Sequence, residues 1–78
     1  MGMITEREVG RFHAEDVMGN RYTVVRWQDM IVFRPSSGTV RRIPGKVRHS
    51  LATGEQLENN ADGSLMIVKD HTVIRRVE

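Results

Sequence analysis

The stretch Val9-Gly10-Arg11-Phe12-His13-Ala14-Glu15-Asp16-Val17-Met18-Gly19-Asn20-Arg21-Tyr22-Thr23-Val24-Val25-Arg26-Trp27-Gln28 decides the fold class. In its first half, Val9 to Val17, the side chains alternate. Phe12 and Ala14 share one side of an extended chain, and His13 and Glu15 share the other. Gly19-Asn20 supplies the residues that tolerate positive φ in a tight hairpin turn. The second half, Arg21 to Gln28, is dense in β-branched and aromatic residues, which fit a pleated and half-buried surface. Two strands joined by a turn follow.

The same period continues outward. Met30 to Arg34 resumes the second strand after a bulge or tight turn at Gln28-Asp29. Pro35-Ser36-Ser37-Gly38 stops pairing, because proline has no amide hydrogen to donate. Thr39 to Ile43 is a further strand. Pro44-Gly45 fits the centre of a type II turn, which sends Lys46 to Leu51 back antiparallel. Thr53-Gly54 turns into a short segment around Leu57, and Asn59 to Gly63 is a loop. Ser64 to Lys69 and Thr72 to Val77 form a last hairpin around Asp70-His71. These elements predict an all-β fold, a small antiparallel barrel or two-sheet sandwich of six or seven short strands. A short helix has room only near residues 2–8, and residues 1–8 are the segment left to flexibility. The expected core is Phe12, Val24, Trp27, Ile31, Phe33, Val40, Ile43, Val47, Leu51, Leu57, Leu65, Ile67 and Ile74.

The 78 residues suffice for one small domain, 1–78, with a thin core: a chain this short buries about 60–65% of its unfolded surface. With no cysteine, neither disulfides nor thiolate-bound metal can support it. The longest apolar runs, Met30 to Phe33 and Leu65 to Val68, are too short for a membrane span. The first residues lack the apolar run of a secretory signal, and Glu6 stands where a myristoylation signal needs Ser or Thr. A cytoplasmic protein of bacterial type is the expectation.

The segment Leu51-Ala52-Thr53-Gly54-Glu55-Gln56-Leu57, then Asp62-Gly63-Ser64-Leu65-Met66-Ile67 and Arg75-Arg76-Val77, resembles a group of short uncharacterised bacterial proteins. They share a Thr-Gly-Glu turn and a C-terminal hairpin ending in arginine. The resemblance covers the last third of the chain. It implies a small β domain and carries no activity to any residue.

Chemistry has little support. His13, His49 and His71 are far apart, and His13 with Glu15 makes two potential ligands, one short of a metal site. No serine has an elbow motif or an adjacent base. Gly38 to Lys46 has the wrong spacing for a phosphate loop, lacks Ser or Thr after the lysine, and contains Pro44. The expectation is a protein that is not an enzyme and needs no cofactor or metal.

What remains is charge. The net charge is +2, but residues 21–51 carry Arg21, Arg26, Arg34, Arg41, Arg42, Lys46 and Arg48 against Asp29 alone. The two flanking segments are acidic. Arginine grips phosphate with a forked donor pair, and an exposed aromatic stacks on unpaired bases. Arg26, Arg34, Arg41, Arg42, Lys46 and Arg48 are therefore the candidate binding residues, for nucleic acid first or otherwise an acidic protein surface. Neighbouring Arg41 and Arg42 cannot share one face of a flat strand, and charge of this kind also guards a sheet edge. The other reading is a protein–protein adaptor or structural subunit that adds its edge to another sheet. A homodimer that pairs the basic block with the acidic ends is a further expectation. Trp27 belongs to the core rather than to a ligand platform.

Overall fold

The computed structural model describes residues 2–36 and 38–77. It is all-β, with six antiparallel strands: β1 (Gly2–Glu15), β2 (Arg21–Phe33), β3 (Arg41–Leu51), β4 (Leu57–Asn59), β5 (Leu65–Ile67) and β6 (Thr72–Arg76). Their order in the sheet is β3-β2-β1-β6-β5-β4. A bridge between Ser50 and Gln56 brings the last strand back to the first, so the sheet nearly closes as a barrel.

The first three strands are long. The short helix considered at 2–8 is absent, since these residues extend β1 and pair with Gln28 to Phe33 and beyond. Arg21 to Gln28 and Met30 to Arg34 fuse into one strand that ends at Phe33. The expected turn at Pro44-Gly45 is also absent: Pro44 pairs with Met30, and β3 runs straight through. Two features explain why proline did not break it. β3 is the outer edge of the sheet, where a missing amide leaves no ladder bond unmade. Gly45 and Lys46 together oppose Asp29 in a bulge, and a Cβ on Gly45 would stand 3.2 Å from that of Asp29.

The turns follow local chemistry. The Asp16 carboxylate accepts from the Met18 and Asn20 amides, the Asn20 side chain and the Tyr22 hydroxyl, which fixes the β1–β2 turn while Gly19 takes φ 83°. In the last hairpin His71 adopts φ 62°, and Asp70 accepts from the Thr72 amide.

The core sits in the barrel end alone. Ala14, Val24, Leu51, Leu57, Leu65, Ile67 and Ile74 fill it, with Phe12 and Tyr22 against its rim. β6 pairs with β1 only at Ala14 and Glu15. Beyond that point β1, β2 and β3 leave the barrel as a three-stranded ribbon one layer thick. Ile31, Phe33, Val40 and Ile43, expected in the core, are exposed, and Trp27 and Val47 are half-buried. Ala14 and Val25 are buried instead. The chain is elongated, 56 × 23 × 21 Å, with a radius of gyration of 15.9 Å. A compact chain of this length would have about 11.5 Å.

Candidate functional site

Directly paired residues in an antiparallel sheet point to the same side, so the register sorts every ribbon side chain onto one of two faces. The inner face is continuous with the barrel interior. From β1 it carries Phe12, Gly10, Arg7, Thr5 and Met3; from β2, Val24, Arg26, Gln28, Met30 and Val32; from β3, Leu51, His49, Val47, Pro44 and Arg42. The outer face carries Arg11, Glu8, Glu6 and Ile4, then Val25, Trp27, Asp29, Ile31 and Phe33, then Ser50, Arg48, Ile43 and Arg41.

The two faces differ in charge. Among the described residues, the inner face of the ribbon holds arginines and no carboxylate. The outer face is mixed and largely neutralised: Glu6 accepts a two-pronged bond from Arg48, and Glu8 one from Arg11. Those arginines hold both carboxyls below their ordinary range.

A bulge in β1 produces this sorting. The register shifts between Glu8 and Gly10, leaving Val9 as the extra residue. Strict alternation from Phe12 would have placed Glu8 and Glu6 on the inner face. The bulge sends both outward and brings Arg7 inward.

At the base of the inner face, Phe12, Arg26, His49, Asn59, Gly63, Leu65 and Arg76 line an open cleft of about 270 Å³. Arg76 pairs with Ala14 and so shares this side, its guanidinium 4.9 Å from the centre of the Phe12 ring. His49 meets Phe12 edge-on, with ring centres 6.0 Å apart. Burial pushes the His49 imidazole below its ordinary value, and the charge of Arg26 pushes it further, against a hydrogen bond with Asn59. Its Nδ1 is buried without a partner.

The structure divides the six candidate binding residues. Arg26 and Arg42 stand on the inner face. Arg41 and Arg48 stand on the outer one, Arg48 bonded to Glu6 and lying 5.4 Å over Trp27. Lys46 is in the β3 bulge, and Arg34 follows β2 in the loop. As expected, Arg41 and Arg42 oppose different faces, pairing with Phe33 and Val32. The sequence reading missed Arg7, Phe12, His49 and Arg76. Trp27 packs on the outer face, donating from Nε1 to the Ser50 hydroxyl.

Among the described residues, no three His, Asp or Glu side chains gather as a metal site, and no helix is long and apolar enough to cross a membrane. Comparison with protein-family models, with curated proteins and with solved structures gave no match.

Proposed function

We propose that this chain is a non-catalytic binding module that holds an anionic polymer, single-stranded nucleic acid in first place, along the inner face of its ribbon. One observation carries the reading: Arg7, Arg26, Arg42 and Arg76 share a face on which no described ribbon residue is acidic. None of Arg7, Arg26 and Arg42 makes an ion pair with a described residue, so their donors are open to phosphate. Phe12 at the cleft offers a ring edge or face near Arg76, suited to a base at the end of the track.

Anisotropy of a labelled oligonucleotide tests this directly. Arg26→Ala with Arg42→Ala should weaken binding about tenfold or more, taking roughly 1 kcal/mol for each charge-assisted contact. Arg41→Ala, on the opposite face, should leave it unchanged. Equal loss from both changes would refute a single binding face.

A second reading rests on a different feature. β1 meets β6 only at Ala14 and Glu15, so its outer edge from Gly2 to Phe12 has no ladder partner among the described residues. Such an edge can accept a strand from another protein, the adaptor role. Strand addition depends on backbone bonds and responds weakly to salt, which separates it from phosphate binding.

A further inference from the structure

The outer face of the ribbon, opposite the proposed binding face, is covered by no part of the chain. Ile4 pairs with Ile31, and Ile31 pairs with Ile43, so three isoleucines form one row across three strands. They are 69, 36 and 51% exposed, and Phe33 in the next row is 43% exposed. Scattered surface apolar residues need no explanation, but an in-register row beside an aromatic is the pattern of a covered sheet face.

The rows on either side indicate what covers it. Towards the tip, Arg41 stands beside Phe33 and makes no ion pair with a described residue. Towards the barrel, the next row holds Glu6 and Asp29, paired across β1 and β2. Arg41 and this acidic row therefore lie at equal steps on opposite sides of the isoleucines. Consider a second copy laid face to face with its strands antiparallel, isoleucine row on isoleucine row. The operation exchanges the flanking rows, and each Arg41 comes over the acidic row of the other copy. Stacked sheets lie about 10 Å apart, within the combined reach of arginine and a carboxylate. The inner faces cannot pair this way, because they would set cation against cation. We infer that the outer face of the ribbon binds a second copy of this chain, forming an antiparallel two-fold dimer that leaves both inner faces open. The inference goes beyond the proposed binding function and does not depend on it.

Sedimentation velocity on the full chain at micromolar concentration should show a dimer. Ile43→Lys, at an exposed edge position, should give a monomer with unchanged far-ultraviolet circular dichroism. Arg41→Asp alone should weaken the dimer about tenfold, and adding Asp29→Arg in the same chain should restore it. A monomeric parent chain would overturn the inference. So would a dimer that survives Ile43→Lys, as pairing along the β1 edge would produce, or a charge exchange that fails to restore association.

Discussion

His49 is the residue at which the core, the cleft and the charged face meet. Burial and the nearby Arg26 hold its imidazole below the ordinary value of 6.5 in the folded chain. The unfolded chain therefore takes up the proton first, and folding is opposed wherever it does. Stability contributed by neutral His49 is complete above about pH 6.5 and falls as pH drops through the lowered folded value. Urea unfolding across this range should show a declining limb that His49→Gln removes. An unchanged limb in the variant would assign it to other groups. Asp62 works in the same direction at lower pH. Bonds from the Ser64 hydroxyl and amide, then from Arg75, hold its carboxyl well below the usual range. None of this was visible in the sequence, where His49 is one of three scattered histidines; only folding brings Phe12, Arg26 and Asn59 around it.

At the scale of elements, the period-two pattern identified strands, and Gly19-Asn20 located the first turn. The extent of the strands was harder to read. Pro44-Gly45 has the composition of a turn, and nothing local distinguishes a turn from an edge-strand bulge; the difference is set by Asp29 and Met30 across the sheet. The extra residue at Val9 was equally hidden, yet it determines which charges share a face. Deleting Val9 should return Glu6 and Glu8 to the inner side, leave the barrel folded, and reduce oligonucleotide affinity at least as much as the paired Arg26 and Arg42 changes. Retained affinity would show that the bulge does not sort the charges. Core energetics divide along the same boundary. Ile74, fully buried in the barrel, should cost about 2–5 kcal/mol when changed to Ala, measured by chemical unfolding. Val40, exposed near the ribbon tip, should cost under about 0.5 kcal/mol on the same change. Comparable losses at both would mean that the ribbon is packed as firmly as the barrel.

The whole molecule is a small barrel that anchors an uncovered arm, and its 56 Å length comes from the arm. The all-β class was legible because alternation is a local property. The division into barrel and ribbon was not, because Ile31, Phe33 and Ile43 alternate as well as any core strand, and β4 to β6 are simply too short to reach them. The basic block was legible as composition, whereas its sorting onto two faces needed the register of three strands. The central claim is that the inner face binds a polyanion through several arginines together. The most direct measurement is the salt dependence of oligonucleotide affinity for the parent chain. Single-strand binding contributes a slope of about −0.7 in log affinity against log salt for each phosphate neutralised. Four arginines, Arg7, Arg26, Arg42 and Arg76, acting together predict a slope near −3. A slope close to zero, or no binding at low salt, would contradict the account.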